Sequence, residues 1–252
     1  MTQSSSLDLH LGDHESVVET GLETIAEENV IARIWDQDHT VWKPEPTEIV
    51  NRLGWLHSAA EMQAEIPRMD ALRDDLRAEG YTHVLWLGMG GSSLAPEVFS
   101  RTFDDVDGLS LSVLDSTDPG AVLARTESLD VSKTLFVVAT KSGGTVETLS
   151  FFKYCYNKIA AVVGEKKAGE HFVAVTDPGS KLVDLADEYD FRATLINNPN
   201  IGGRYSVLSF FGLFAATLVG VDVARLLRRA QYMADHCLAA VTPPENPAAV
   251  LG

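Results

Sequence analysis

The chain has 252 residues, 45% of them hydrophobic and 22% charged, which is enough to bury a sizeable core in one large α/β domain or in one and a half ordinary ones. Its formal charge of −16 argues against a non-specific nucleic-acid binder, whose surface has to be basic, and requires any anion site to be locally positive against an unfavourable overall field. The two cysteines, Cys155 and Cys237, both fall in apolar helical patterns and read as reduced core thiols rather than as a disulfide or a metal site.

Residues 1–16, MTQSSSLDLHLGDHES, carry neither a cationic start nor an apolar core, so they are no signal peptide and are expected to form a disordered lead-in. Residues 17–35 carry a helical pattern, which Lys43-Pro44-Glu45-Pro46 then breaks. Ile49, Leu53, Leu56 and Ala60 recur at helical spacing and predict a second amphipathic helix running toward Pro67. A third passes through Leu72 and Leu76 and ends near Gly80, so residues 17–80 read as an N-terminal helical extension.

From Thr82 the rhythm changes to strand, turn and helix, repeated. Residues 83–87 form the first predicted strand, GMGGSS (88–93) a turn, and Pro96 falls in the first turn of the next helix. Residues 109–114 are a second strand, after which Asp118 is an N-cap with Pro119 at the first helical position. The segment LFVVATKSGGTVETLS (135–150) supplies a third strand and opens a helix over 146–163. Residues 171–176 and 191–196 give the fourth and fifth strands, with a helix over 180–189 between them. Five strands alternating with helices predict an α/β fold with a doubly wound, mostly parallel sheet. Two apolar helices are expected over 206–219 and 221–240. The uncharged run 205–221 is marginal for a bilayer span and contains Ser206, Ser209 and Thr217, so it reads as a buried helix and the chain as cytoplasmic.

Ligands on such sheets sit at the carboxyl ends of strands. The richest of those ends is Thr140 to Thr145: Gly143 and Gly144 permit positive φ or close backbone approach, Thr145 or a neighbour can cap the helix, and a helix start attracts phosphate. Thr140, Ser142 and Thr145 add neutral donors, and Lys141 adds a point charge. The alternative is an ordinary capped turn. GMGGSS nearly fits a dinucleotide fingerprint, with Ser93 where the third glycine belongs and Asp115 placed as a ribose-binding acid, so a nicotinamide dehydrogenase has to be considered. Against it, two Gly/Ser/Thr loops at neighbouring strand ends suit one phosphate held from two sides. Arg204, after Gly202 and Gly203, is placed to pair with a phosphate or to stabilise developing negative charge; the alternative is a surface arginine paired with an acid. The seven histidines show no metal-ligand spacing, and no metal or cofactor is expected. Glu147 reads as dipole compensation in a first helical turn rather than as a catalytic group.

Taken together, GMGGSSLAPEVF, ATKSGGTVETL, VTDPGSKL and GGRYSVLS resemble, in this order, the phosphoglucose isomerase family built from sugar isomerase (SIS) domains, over about residues 35–252. NRLGWL (51–56) is similar to the isomerase part of bacterial transaldolase/phosphoglucose isomerase fusions. The resemblance implies an SIS-type α/β domain over 81–204 and C-terminal helices over 205–252 leading toward a second such domain that this chain lacks. It implies that Gly91, Ser92, Thr140, Lys141, Ser142 and Thr145 bind the substrate phosphate and that Arg204 stabilises an enediolate. A glutamate base, a ring-opening histidine and a lysine lie later in the family's chain, so the resemblance implies a phosphate-binding portion that is inactive alone. The implied partner is a small-molecule sugar phosphate, with no nucleic acid or membrane, and a homodimer in the full-length form. A non-catalytic sugar-phosphate-sensing module is the second reading.

Overall fold

The computed structural model describes residues 10–103 and 108–252. The expected disordered lead-in lies outside the described residues as far as residue 9; its last part is already helical, since a 3-10 turn at Gly12–His14 leads into helix α1 (Glu15–Glu27). The single pattern over 17–35 is two helices, because Asn29 takes the left-handed conformation at φ 55° before α2 (Val30–Trp35) begins. Asparagine visits that region more readily than most residues.

The predicted amphipathic helix over 49–60 does not form as one element. A 3-10 turn at Gly54–His57, a short α3 (Ser58–Glu61) and a second 3-10 turn at Met62–Glu65 stand there instead. The backbone explains the difference: Leu53 bridges antiparallel to Ile201, and the Gly54 N–H donates to the Asn200 carbonyl at 2.9 Å. Those long-range bonds use groups that a continuous helix would need. Pro67 stands inside the first turn of α4 (Ile66–Ala78), where no intrahelical donor is lost, and Gly80 follows that helix at φ +85°.

Strands β1 (His83–Gly88), β2 (Ser110–Leu114), β3 (Thr134–Ala139), β4 (Phe172–Thr176) and β5 (Ala193–Ile196) pair in the order β2-β1-β3-β4-β5. Every pair is parallel, so the sheet is the doubly wound, five-stranded α/β fold expected from the alternation. The intervening helices are α5 (Leu94–Thr102), α6 (Pro119–Thr126), α7 (Val146–Val163), α8 (Glu165–Ala168) and α9 (Lys181–Glu188). Asp118 caps α6 by accepting from the Ala121 N–H at 2.9 Å, with Pro119 at the first helical position. After β5 come a 3-10 segment (Gly203–Leu208), α10 (Phe210–Leu218), α11 (Val223–His236) and α12 (Pro247–Leu251). The Ser209 hydroxyl caps α10, so this helix starts later than the spacing predicts.

Side chains alternate between two cores. Val84, Trp86, Leu135, Val137, Val173 and Val175 pack with Met69 and Leu76 of α4, Phe99 of α5 and most of α10. Leu85, Leu87, Phe136, Val138, Phe172 and Ala174 pack with Phe151, Phe152, Cys155 and Ile159 of α7 and Leu182 of α9. Burial on both faces is why these strands read as continuous apolar runs. Every residue of α10 is buried, which assigns the uncharged run to the core; among the described residues no helix is long and apolar enough to cross a membrane. Both cysteines are free; Cys155 is a core thiol that burial pushes up to about 12, whereas Cys237 is only half-buried and lies outside the core.

From β1 the chain moves outward to β2 on one side, and from β3 outward to β4 and β5 on the other. The strand order therefore reverses between β1 and β3. A crevice opens at the carboxyl ends of strands at such a point.

Candidate functional site

Two of the loops singled out by composition leave the sheet at this reversal. After β1, Gly90 turns at φ +54°, and the indole N–H of Trp86 donates to the Ser92 carbonyl at 2.7 Å, tying the loop to the core. After β3, Gly143 takes φ +67°, and a Cβ there would lie 2.6 Å from the Leu182 nitrogen. Only glycine lets this loop sit against the start of α9. Thr145 holds the N-cap position of α7 without using its hydroxyl as a cap; that hydroxyl shares a 2.9 Å hydrogen bond with the Thr140 hydroxyl. The Ser142 hydroxyl accepts from the Gly144 N–H at 3.3 Å.

The third loop follows β5 and carries Arg204. A Cβ on Gly91 would fall 2.5 Å from the Gly203 carbonyl oxygen, so the β1 loop and the Arg204 loop meet backbone to backbone. The Ser206 hydroxyl is within hydrogen-bonding distance of both carbonyls, Gly91 at 3.1 Å and Gly203 at 2.7 Å. At Gly202 the close neighbours are side chains instead, since a Cβ there would come within 3.0 Å of Arg52.

These loops enclose a cleft of about 790 Å³. Gly91, Ser92, Thr140, Lys141, Ser142, Thr145 and Arg204 all line it, so every site residue expected from the sequence is brought to one place. Asp115 and Glu147 do not line it. Among the described residues no three His, Cys, Asp or Glu side chains are grouped as metal ligands.

The charges differ from a simple reading of the loop. The Lys141 ammonium is not free: it donates to the Asp177 carboxylate and to the Pro199 carbonyl. Asp177 is buried, and its second oxygen, Oδ1, has no hydrogen-bond partner. Burial pushes its carboxyl above the usual range, while the Lys141 hydrogen bond and charge pull it back. Arg52 is likewise paired with Glu48, a residue held at φ 61°. Arg204 is exposed and makes no hydrogen bond or ion pair among the described residues. It is the cation at the cleft that remains available to an anion, together with the loop hydroxyls.

Asp177, Arg52 and Glu48 line the cleft but were not among the expected site residues. Asp177 carries a readable signal, since it stands at the carboxyl end of β4. Arg52 lies in NRLGWL. Glu48 carries none, being one more acid in a proline-broken stretch.

A family model described as phosphoglucose isomerase matches residues 61–252. Glucose-6-phosphate isomerase of Carboxydothermus hydrogenoformans is 32% identical over 196 residues, covering 73% of this chain and 42% of its own. That of Acaryochloris marina is 36% identical over 182 residues, covering 69% of this chain and 33% of its own. The chain therefore spans well under half the length of these curated relatives. Among solved structures, a hypothetical protein from Thermus thermophilus superposes with a TM-score of 0.76 at 25% identity, over 92% of this chain and 54% of its own. A glucose-6-phosphate isomerase from Chlamydia trachomatis shares the fold, with a TM-score of 0.75 at 19% identity over 91% of this chain and 48% of its own.

Proposed function

The chain belongs to the phosphoglucose isomerase family, and on that premise we propose that it serves the interconversion of glucose 6-phosphate and fructose 6-phosphate in the cytosol, within a homodimer in the longer form. The observation that carries this reading is the convergence of three loops on one cleft at the reversal of strand order, with seven donors or small residues of anion-binding type facing it. Gly91, Ser92, Thr140, Lys141, Ser142 and Thr145 hold the phosphate, and binding energy from that remote group orients the sugar carbons. A carboxylate then moves a proton between C2 and C1 through a cis-enediolate, and the unpaired Arg204 guanidinium stabilises the oxyanion.

The carboxylates lining this cleft, Asp177 and Glu48, are both engaged by cations. Neither is free to abstract a carbon-bound proton, so the base in this proposal comes from outside the 252 residues. The chain by itself then binds fructose 6-phosphate and turns it over slowly or not at all. That engagement also favours the second reading, a sugar-phosphate-sensing module. Calorimetry with fructose 6-phosphate and with NAD, alongside an isomerisation assay of the 252-residue chain, tests all of this. Binding of the sugar phosphate without turnover is expected. Heat from NAD alone would turn the reading toward a dehydrogenase, and turnover at the rate of the longer relatives would place a base inside the chain.

A further inference from the structure

Beside the anion cleft, and sharing Glu48, Arg52, Gly203 and Arg204 with it, lies a second hollow of about 700 Å³. Trp42, Trp55 and Tyr205 form its walls, and they are 49%, 40% and 53% exposed. The rings of Trp55 and Tyr205 stack with centroids 5.6 Å apart and planes 17° from parallel. The chain has four tryptophans, and the other two use their indole N–H groups internally, Trp35 to the Cys237 carbonyl at 2.8 Å and Trp86 to the Ser92 carbonyl at 2.7 Å. The indoles of Trp42 and Trp55 and the phenol of Tyr205 make no hydrogen bond among the described residues.

Both stacked rings stand on anchored backbone. Trp55 follows Gly54, whose N–H is bonded to Asn200, and Tyr205 donates its own N–H to the Gly202 carbonyl at 2.9 Å. The Tyr205 ring also lies over Gly202, where a Cβ would come within 3.1 Å of it. Aromatic faces exposed in a hollow, with unengaged N–H and O–H groups at their edges, match a ligand that offers apolar C–H faces and a rim of hydroxyls. Continuity with the anion cleft adds that one end of the ligand is anionic, and Arg204 stands where the two spaces join.

We infer that the Trp55–Tyr205 stack, flanked by Trp42, is the platform on which the sugar carbons of a sugar phosphate lie while its phosphate occupies the loops after β1 and β3. The inference rests on the sugar-phosphate reading above and gives that site its second half. A flat aromatic face of this kind also suits a protein surface, and the test separates the two.

The experiment titrates the wild-type chain, Trp55→Ala, Trp55→Phe and Tyr205→Ser with fructose 6-phosphate and with inorganic phosphate, following tryptophan emission and calorimetric heat, with thermal melts to check folding. The wild type should bind fructose 6-phosphate more tightly than inorganic phosphate, and its emission should respond to the sugar phosphate only. Trp55→Ala and Tyr205→Ser should each weaken fructose 6-phosphate roughly three- to tenfold, as expected for loss of one stacked aromatic, and leave inorganic phosphate unchanged. Trp55→Phe should retain most of the affinity. If the wild type holds the two ligands equally, or the variants lose nothing, the platform inference falls, the aromatic face is a protein-contact surface, and the phosphate reading stands. If neither ligand binds the wild type, the phosphate reading falls and takes the platform with it.

Discussion

Lys141, placed at the proposed phosphate site, is also the counter-ion of a buried acid. Asp177 is 9% exposed, and one of its oxygens already lacks a partner, so the ammonium is what keeps its charge tolerable in the interior. Replacing Lys141 with Met should destabilise the chain by about 1–3 kcal/mol, the range for stranding a buried polar group. Burial raises the Asp177 carboxyl above its unfolded value, so the ionised form is disfavoured in the fold and stability falls as pH rises through that raised value. The Lys141→Met deficit should therefore be full at neutral pH and shrink in acid, and adding Asp177→Asn should recover much of it. Urea denaturation of the two single variants and the double variant measures the coupling. A deficit independent of both pH and Asp177 would show that the ammonium acts elsewhere.

A second residue-scale expectation concerns His171, at the opposite end of the sheet. It is buried, shares a 3.1 Å hydrogen bond with the Tyr81 hydroxyl, and lies 3.4 Å from the Thr134 carbonyl. Burial lowers its pKa; the Arg192 charge lowers it too, while the Thr134 hydrogen bond and the Glu170 and Glu79 charges pull the other way. A histidine depressed in the fold stays neutral there while the unfolded chain takes up a proton. Stability is thus complete above the ordinary value of about 6.5 and declines as pH falls from there toward the depressed folded value. An NMR titration of the His171 ring checks this, and a midpoint above the unfolded value would reverse the sign.

At the scale of elements, the decisive contact is glycine on glycine. A Cβ at Gly91 would meet the Gly203 carbonyl carbon and oxygen at 2.6 Å and 2.5 Å, both backbone atoms with little room to move. Gly91→Ala should push the β1 loop and the Arg204 loop apart, lowering stability by about 1–3 kcal/mol as overpacking does and weakening anion binding with it. Gly144→Ala is the control, since the nearest atom to its Cβ would be 4.0 Å away, and its effect should stay within about 0.5 kcal/mol. Thermal melts and a phosphate titration of both variants distinguish a built junction from general loop fragility.

The same scale explains what was legible beforehand. β1, β3 and β4 are readable because strands buried on both faces are continuous apolar runs, and α7 spans 146–163 as its pattern predicts. The loops of the cleft are readable because Gly, Ser and Thr collect at strand ends that the topology brings together, while the full set of seven residues follows from the family resemblance. The stretch from Ile49 to Ala60 misled because its apolar spacing suits a helix, while Leu53 and Gly54 are bonded to Ile201 and Asn200, partners far along the chain. Asp177 is legible as a residue at the carboxyl end of β4, but its pairing with Lys141, 36 positions away, is encoded by no local pattern.

For the whole molecule the question is how a chain of net charge −16 holds an anion at all. Distant surface acids act weakly, because ions screen charges separated by more than about 8–10 Å at ordinary salt. Groups within the cleft decide, and there Arg52 is offset by Glu48 and Lys141 by Asp177, leaving Arg204 as the unmatched positive charge. Converting Glu48 to Gln removes one negative charge at the mouth and releases Arg52, without altering the side-chain length. At surface dielectric that change is on the order of 0.5–1 kcal/mol, or roughly two- to fivefold in affinity for inorganic phosphate. Because Glu48 is exposed, the gain should be largest at low ionic strength and shrink as salt is added, whereas hydrogen bonds from the Thr140, Ser142 and Thr145 hydroxyls carry no comparable salt dependence. Calorimetric titration of wild type and Glu48→Gln at two salt concentrations reads both quantities. A gain that persists at high salt would mean that Glu48 obstructs the cleft by its pairing geometry rather than by its charge, and a loss would mean that the Glu48–Arg52 pair is itself part of the phosphate site.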